Sequence, residues 1–386
     1  MNDVTSTNRE SLLSSIRNEF RMIFSDGGVL LIIVFAMLIY TTVYSLAYGK
    51  EVVESVAIAV VDSDKTPSSR ELINGLSSGP NTAVCYEVAS VDEARRLFYE
   101  RKVFGIVVIP NGFEGDLLSG KQANIATILD GSHLLLYRQV LEQATKDALT
   151  DGATIEAMRM VARGVDDVEA AAIIQPIEYE EHVLHNSAMG YGSFVMPSIV
   201  VVVIQQTLLI GLAMLGVRRK KMPVSNASIM IGIFAKILTY LIIYGVNLII
   251  ILGILWPIFG FPYEGRTVDV VVVFALYITA SVALGISLSH LFSKREEPLM
   301  LLLWISIPIL LLAGVSYPKE AFPEWLHLLG RVFPSSSAVN AYVNIGTAGA
   351  SLGNVMTDIV TLVVLSVLYI CLAFFAEKFP VKSECA

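Results

Sequence analysis

The chain has 386 residues, of which 54% are hydrophobic and 16% are charged, and its formal net charge is −8. Its mean hydropathy of +0.65 is too high for a soluble protein of this length. The chain also contains uncharged runs long enough to cross a bilayer, which a soluble protein does not need. The acidic balance, with no basic stripe of interleaved aromatic residues, also excludes nucleic acid as an expected partner. Composition therefore predicts a membrane protein.

The acidic residues are concentrated in one block. Residues 50–187 carry 22 acidic and 12 basic residues, whereas the rest of the chain carries 13 acidic and 15 basic residues. The three cysteines, Cys85, Cys371 and Cys385, stand at no metal-binding or redox spacing, so we expect no disulfide framework. The block is predicted to be a soluble domain within a membrane chain.

The first predicted element is an amphipathic helix within residues 1–28. Its cations lie outside an apolar face that consists of Leu12, Leu13, Ile16, Phe20, Ile23 and Phe24. Such a helix is expected to lie in the cytoplasmic membrane interface, either as an anchor or as a contact element.

Six apolar runs with few or no charges are each long enough to form a membrane helix, although the last two are short. They lie at 29–48, 191–217, 237–259, 270–292, 299–316 and 359–376. Helices are expected because a helix satisfies its own backbone groups in lipid. A signal peptide cleaved near Ser45-Leu46-Ala47 is the alternative for the first run, but the run is long for one and a retained anchor at 29–49 is preferred. The predicted fold class is a polytopic α-helical membrane protein with six transmembrane helices and an inserted extracytoplasmic α/β domain.

Lysine and arginine residues predict the orientation of these helices, because they collect on the cytoplasmic side. They precede the first run, follow the second and fourth runs, and occur in the tail, at Arg9, Arg17, Arg21, Arg218–Lys221, Lys294, Arg295, Lys378 and Lys382. Both chain ends are therefore predicted in the cytoplasm and residues 50–187 outside.

Residues 50–187 are expected to form an α/β domain that precedes a five-helix membrane domain at 188–386. Four β-branched runs predict strands at 55–61, 82–88, 103–109 and 124–129. Helical patterns occur at 67–76, 91–101 and 134–162, and Ser90 with Glu93 has the spacing of a capping box. His182 and His185, preceded by Glu180 and Glu181, are compatible with a zinc site. A solvated return segment is preferred, and no metal site is predicted.

Several membrane runs contain polar residues. Gln205, Gln206 and Asn247 lie near the middle of their runs and either line a substrate path or bond between helices. Ser281, Gly285 and Ser289 recur every four residues, which is typical of close helix packing. Lys236 stands near the cytoplasmic start of its run, where it can reach the interface without an intramembrane partner.

The segment Tyr317–Pro334 is interrupted by three prolines and cannot be one membrane helix. A short helix that dips into the outer leaflet, within a re-entrant external segment near 317–345, fits the pattern. The segment forms either an external gate or an aromatic belt that fixes depth, and the gate is preferred. Its gate candidates are Tyr317, Pro318, Phe322, Pro323 and Trp325.

The sequence contains no phosphate-binding loop ending in Gly-Lys-Ser/Thr, no dinucleotide fingerprint and no hydrolase elbow. If ATP drives this protein, another chain must bind it.

Five stretches in the expected order resemble the ABC-2 permease family, and most closely the branch with a large external domain after the first span, called type V exporters. Val60–Arg70 resembles its Val-Asp-x-Asp-x-Ser/Thr-Pro-x-Ser-Arg segment, and Val103–Gly120 its Gly-x-x-x-x-Ile-Pro-x-x-Phe run. Asp130-Gly131-Ser132 follows at the family's spacing. Ala313–Trp325 resembles the late Ser-Gly-x-x-x-Pro signature, and Pro334 falls where a second proline is usual.

Two departures from the family pattern stand out. Arg218–Met222 lacks the acidic residue and the Gly-Thr pair usual after the second span, and Ala313 replaces the first serine of the late signature. The first departure bears on how the chain would contact its ATPase.

The resemblance implies a bacterial cytoplasmic (inner) membrane exporter built from two permease copies, a homodimer or a paralogous heterodimer, and two ATPase subunits that bind ATP and Mg. This chain would bind no cofactor and be no enzyme. Some relatives also work with a periplasmic adaptor and an outer-membrane channel. The family further implies that cytoplasmic elements contact the ATPase, and the candidates are Arg17, Phe20, Phe24, Arg218, Arg219, Lys220 and Lys221.

The expected cargo is apolar or amphiphilic, because the membrane helices are rich in Val, Ile, Leu and Phe. The alternative class is a membrane receptor or secretion-system scaffold that binds a partner through its external domain. Five membrane helices after that domain favour transport, since a receptor needs only one or two.

Overall fold

The computed structural model describes residues 12–177, 180–187, 189–218 and 226–379. The chain divides into two compact units. We call Met1–Glu51 together with Val183–Ala386 the membrane unit, and Val52–His182 the α/β unit.

The first described element is α1 (Leu12–Phe24). It is followed by α2 (Gly27–Leu30) and α3 (Ala36–Tyr48), which a π-helical turn joins into one apolar helix of 22 residues. The Asp26 carboxylate caps this helix by accepting the backbone N–H groups of Gly28 and Val29, both at 3.2 Å. The cap sets the boundary between α1 and the first membrane helix.

The α/β unit alternates strands and helices as the apolar runs predict. In chain order its elements are β1 (Val56–Asp62), α4 (Pro67–Ser78), β2 (Thr82–Val88), α5 (Val91–Tyr99), β3 (Gly105–Ile109), α6 (Phe113–Ser119), β4 (Ala126–Leu129), α7 (Leu134–Ala162) and α8 (Asp167–Ile174). The predicted cap of α5 is present, since Ser90 Oγ accepts the Glu93 N–H at 3.2 Å.

The four strands form one sheet in the order β2-β1-β3-β4. β1 pairs in parallel with β2 and with β3, whereas β4 is antiparallel to β3. Alternate side chains of the central strand face opposite sides, so Ile58 and Val60 pack against α4 and α7 while Ala59 and Val61 pack against α5. The sheet is therefore covered by helices on both faces.

The rest of the membrane unit is helical. Its elements are α9 (Tyr191–Arg218), α10 (Asn226–Ile250), α11 (Trp256–Phe259), α12 (Thr267–Ser289), α13 (Glu297–Leu312), α14 (Glu324–Arg331), α15 (Pro334–Tyr342) and α16 (Met356–Lys378). A π-helical turn at Ile251–Leu255 continues α10 into α11.

Five helical stretches in the described part of the chain are long and apolar enough to cross a membrane: Gly27–Tyr48, Tyr191–Val217, Ser228–Phe259, Thr267–Ser289 and Leu352–Lys378. The predicted run 299–316 differs, because its helix α13 has only 16 residues and ends at Leu312. The chain turns there at Gly314, whose φ of +80° lies in the left-handed region. The fold is that of a polytopic helical membrane protein.

The predicted small-residue stripe on α12 is confirmed as a close helix contact. Ser281, Gly285 and Ser289 are buried where α12 packs against α9. A Cβ on Gly285 would lie 2.7 Å from Leu212 Cδ1, so any larger residue would force the Leu212 side chain to shift.

Candidate functional site

The segment between α13 and α15 is shaped by residues that restrict the backbone. Gly314 turns the chain, and the aliphatic stem of Lys319 lies directly over it, with Cγ 2.6 Å from where a Cβ would stand. Pro318 precedes a single 3₁₀ turn at Lys319–Ala321, and Pro323 precedes α14. The segment thus consists of a 3₁₀ turn and the short helix α14 and is not a membrane-spanning helix, as the prolines predict.

Gln205 joins this segment to the middle of α9. Its side chain is completely buried, and its Oε1 accepts the backbone N–H of Ser335 at 2.8 Å, in the first turn of α15. The first turn of a helix has no internal acceptor for its N–H groups, so the Gln205 amide acts as a cap supplied by another helix. A predicted path residue and the proline-interrupted segment are therefore in direct contact.

The next residues of α15 extend the contact outward. The Ser336 carbonyl accepts a hydrogen bond from the Lys319 ammonium group, and Ser336 Oγ donates one to the Leu312 carbonyl at 3.2 Å. The Tyr369 hydroxyl of α16 donates to the Val332 carbonyl. Polar contacts therefore run from mid-helix in α9 through α15 to the turn that holds Lys319.

Beside Lys319 lies a cavity of about 390 Å³ between α13, α14, α15 and α16. Its charged lining consists of Lys319, Glu320, Glu324, His327, Arg331 and Asp358. The Asp358 carboxylate is oriented by Asn340, whose Nδ2 donates to it at 2.6 Å. Charged groups that line a cavity in a membrane protein can bind the polar part of a ligand or water.

The predicted gate residues occupy different positions around this cavity. Phe322 lines it and stacks on Tyr317 with ring centroids 5.9 Å apart. Trp325 is 67% exposed on α14 and faces away from the described part of the unit. Sequence reasoning missed Lys319, Arg331 and Asp358, and the available signal was their charge within an apolar region.

The other two predicted path residues differ in their partners. Asn247 is buried, and its Nδ2 donates to the Val34 carbonyl at 3.3 Å, in the π-helical turn between α2 and α3. A π turn leaves carbonyls without their usual helical partner, so Asn247 bonds between helices. In the described part of the chain, neither polar atom of the buried Gln206 amide has a partner.

At the other end of the helices, α1 packs against α10. Ile23 is completely buried, and Glu19 is buried beside Tyr240, whose hydroxyl donates to its Oε1 at 3.2 Å. The predicted apolar face is therefore only partly covered, since Leu13 is 77% and Phe24 58% exposed. The buried carboxylate was not predicted, because a charged residue on an amphipathic helix is usually solvated.

The three candidate contact residues of α1 share a face. Arg17 and Phe24 are exposed, and the Phe20 and Phe24 rings lie 6.3 Å apart. The candidates Arg219, Lys220 and Lys221 lie outside the described residues, and of Arg218 only the backbone, at the end of α9, is described.

Ion pairs also tie the helix ends of the membrane unit together. Asp26 pairs with Arg295, which precedes α13. Lys236 of α10 pairs with Glu377 of α16 at 2.6 Å, and His290 lies 3.9 Å from the same carboxylate. Lys236, which was predicted to need no intramembrane partner, is only 11% exposed and has its counter-charge in Glu377 at the end of α16.

The two histidines considered for zinc lie in separate ion pairs. His185 Nδ1 lies 2.9 Å from Glu264 Oε2, and His182 Nε2 lies 3.2 Å from Glu180 Oε1. The described residues contain no group of three or more potential metal ligands.

These features define a polytopic helical membrane protein with a polar cavity at one end of its helices. The family profile for ABC-2 family transporter proteins matches residues 23–375, so the chain belongs to that family. It is 24% identical to the inner membrane transport permease YhhJ of Escherichia coli strain K12 over 367 residues, which cover 89% of this chain and 90% of that protein.

Two further relatives agree with this assignment. The permease of the same name from Shigella flexneri matches to the same extent. ABC transporter G family member 23 of Dictyostelium discoideum is 21% identical over 286 residues, which cover 72% of this chain and 40% of that protein. The chain is an ABC transporter permease, a multi-pass membrane protein of the inner membrane, and its family implies an ATPase partner. The family is one of transport permeases and not of enzymes.

Proposed function

We propose that this chain is the permease subunit of an ABC exporter that moves an apolar or amphiphilic substrate outward, driven by a separate ATPase. In this proposal α13 is a short sixth span, both chain ends are cytoplasmic, and the α/β unit is extracytoplasmic. Two permease copies and two ATPase subunits make up the transporter. Residues 317–345 form its external gate.

The observation that carries the proposal is the Gln205–Ser335 hydrogen bond. α9 runs without interruption from Tyr191 to Arg218, so its basic end lies in the proposed cytoplasmic loop and Gln205 lies halfway along it. A displacement of α9 by the ATPase would be transmitted to the first turn of α15 and to the Lys319 turn.

The composition of the exposed face of α1 supports a contact with the ATPase on the proposed cytoplasmic side. It combines the cation Arg17 with the exposed ring of Phe24. An aromatic residue beside an arginine is a frequent composition of protein–protein hot spots. Because the opposite face packs on α10, a movement of α1 would reach the membrane helices.

The charged cavity supports an amphiphilic cargo. Its lining contains Lys319 and Arg331 as well as three carboxylates, and apolar helices surround it. A cargo with a charged end and an apolar body would meet both surfaces on the way out.

The proposal is tested by co-expressing the chain with the ATP-binding subunit encoded beside it. We expect the two to co-purify, and ATP hydrolysis in liposomes to change when the permease is present. Phe24→Ala with Arg17→Glu is expected to reduce this coupling about tenfold, the cost of losing a hot-spot residue. Phe35→Ala is the matched control, because its ring is similarly exposed (47%) but lies in the membrane helix.

Failure of the chain to associate with any such ATPase would contradict the proposal and favour the receptor or scaffold class. An equal loss of coupling in the Phe35 control would contradict the proposed contact between α1 and the ATPase, but not the rest of the proposal.

A further inference from the structure

The stretch Val60–Arg70, at the end of β1 and the start of α4, is rich in polar residues, and most of them form hydrogen bonds within the loop. Asp62 Oδ1 accepts the N–H groups of Asp64 and Lys65 at 3.0 and 2.9 Å, and its Oδ2 accepts Ser69 Oγ at 2.7 Å. Thr66 and Ser69 cap α4 reciprocally. These contacts fix the loop, so these residues have a structural role.

Asp64 and Ser68 fix the same loop to α6. The Asp64 carboxylate accepts the Gly112 N–H at 2.6 Å and the Glu114 N–H at 2.9 Å. Ser68 Oγ donates to Glu114 Oε1 at 2.9 Å. Apart from the exposed Ser63 hydroxyl, the polar side chains of the loop are thus occupied by internal bonds, with the exception of two cations.

The two cations without internal bonds are Lys65 and Arg70. Both are exposed, and within the described part of the chain neither side chain forms a hydrogen bond or an ion pair. Lys65 has a φ of +54°, a left-handed conformation that a lysine rarely adopts. Asp62 holds it there, so the structure maintains an unfavourable backbone at the residue that carries the free charge.

Both cations line a crevice of about 500 Å³ at the carboxyl ends of β1 and β2. β1 leads to α4 on one face of the sheet, whereas β2 leads to α5 on the other face. Loops that leave neighbouring parallel strands in opposite directions open a crevice between them, and ligands of open α/β sheets bind there. The rest of the lining consists of Asp62, Ile73, Asn74, Glu87, Val88 and Ala89.

We propose that this crevice is a binding site for a small anion that carries a carboxylate or a phosphate group. Lys65 and Arg70 bind the anionic group, and the Asn74 amide contacts the rest of the ligand. The loop N–H groups and Ser69 hold the Asp62 carboxylate in the loop and partly offset its charge, so its repulsion of the anion is reduced but remains. Glu87 is the one lining acid without such contacts among the described residues, so it limits the affinity. This site is independent of the proposed transport function.

The test uses the full-length purified chain in detergent at low ionic strength. Inorganic phosphate and succinate are titrated separately by calorimetry, so the two arms distinguish a phosphate from a carboxylate ligand. Lys65→Asn with Arg70→Gln is expected to weaken binding by about tenfold or more, since each charge-assisted contact is lost. Asparagine tolerates the left-handed backbone and glutamine suits a helix, so the loop should keep its fold.

Two further variants make the test specific. Glu87→Gln is expected to tighten binding several-fold, because it removes a repulsive charge. Arg95→Gln changes an exposed cation on α5, away from the crevice, and should leave binding unchanged. Absence of binding for both anions at millimolar concentration would overturn the proposal, as would equal weakening in the Arg95 variant and in the Lys65/Arg70 variant.

Discussion

Two adjacent glutamines on α9 differ in their hydrogen bonds. The completely buried Gln205 accepts the Ser335 N–H through its Oε1, whereas its Nε2 and both polar atoms of Gln206 have no partner among the described residues. Removal of a buried acceptor leaves its donor unsatisfied, which costs more than the bond itself contributes. The same substitution at Gln205 and at Gln206 should therefore change the stability of the chain by different amounts.

Gln205→Ala is expected to lower the free energy of unfolding by about 2–4 kcal/mol, from the orphaned Ser335 N–H and the void left behind. Gln206→Ala is the matched control and should cost about 1 kcal/mol or less, because no described bond is lost. Denaturation of the purified chain in detergent measures both. A larger loss in the Gln206 variant would show that the Gln205 cap is not a structural contact.

Asp64 makes the α/β unit sensitive to acid. The backbone N–H of Glu114, followed by the Thr66 hydroxyl and the Gly112 N–H, holds the pKa of the Asp64 carboxyl below its ordinary value of 3.8. A carboxyl whose pKa is lower in the folded state stabilises the fold above its ordinary pKa. That stabilisation is lost as the pH falls from 3.8 through the lower, folded-state value.

We expect hydrogen exchange at Gly112 and Glu114, corrected for its intrinsic pH dependence, to accelerate when the pH falls below 3.8. Asp64→Asn should show fast exchange already at neutral pH and little further change on acidification. Asp92→Asn on α5 is the control, because that side chain is exposed in the same unit. Acid-independent exchange in the unaltered chain would contradict the role given to Asp64.

At the scale of elements, the local patterns that predict helices and strands were reliable because they depend on neighbours in sequence. The apolar runs locate β1 to β4 within two residues, and 134–162 matches α7. The cavity beside Lys319 was not predicted, because it forms only where four successive helices pack together, and local patterns do not report how helices pack. The end of α13 at Leu312 likewise depends on the Gly314 turn, which hydropathy does not register.

The ion pair between α10 and α16 illustrates the same limit. The sequence places Lys236 near the start of a run and Glu377 at the end of another, but not in contact. Their 2.6 Å separation arises only when the two helices pack together. With side chains 11% and 28% exposed, the two groups are shielded from solvent, so each contributes to compensating the other's charge.

Lys236→Met and Glu377→Gln are each expected to destabilise the chain by about 1–3 kcal/mol, since either removes a counter-charge from a largely buried ionic group. The double variant should cost less than the sum of the single variants, and a double-mutant cycle in detergent measures the difference. The pair Lys102–Glu100, with side chains 52% and 44% exposed, is the control and should show no measurable coupling, because solvent screens an exposed ion pair. A purely additive Lys236–Glu377 cycle would contradict the pairing.

At the scale of the whole molecule, the proposed topology assigns the two ends of each membrane helix to opposite sides. Basic residues precede α2 and follow α9, and the family profile spans residues 23–375 across both units. Because each membrane helix changes the side of the chain, the same topology predicts that the α/β unit, with its excess of acidic residues, is outside. In this proposed topology the gate at 317–345 is extracytoplasmic and the exposed face of α1 is cytoplasmic.

Cys85 and Cys385 test this assignment directly. Cys85 is exposed on β2, so in a Cys371→Ala background an impermeant maleimide should modify it in spheroplasts. Cys385 should react only after the membrane is permeabilised, because the tail is proposed to be cytoplasmic. Denatured samples establish that each thiol can react. Labelling of Cys385 from outside with Cys85 protected would reverse the orientation, and the gate would then face the ATPase, which is incompatible with export through this chain.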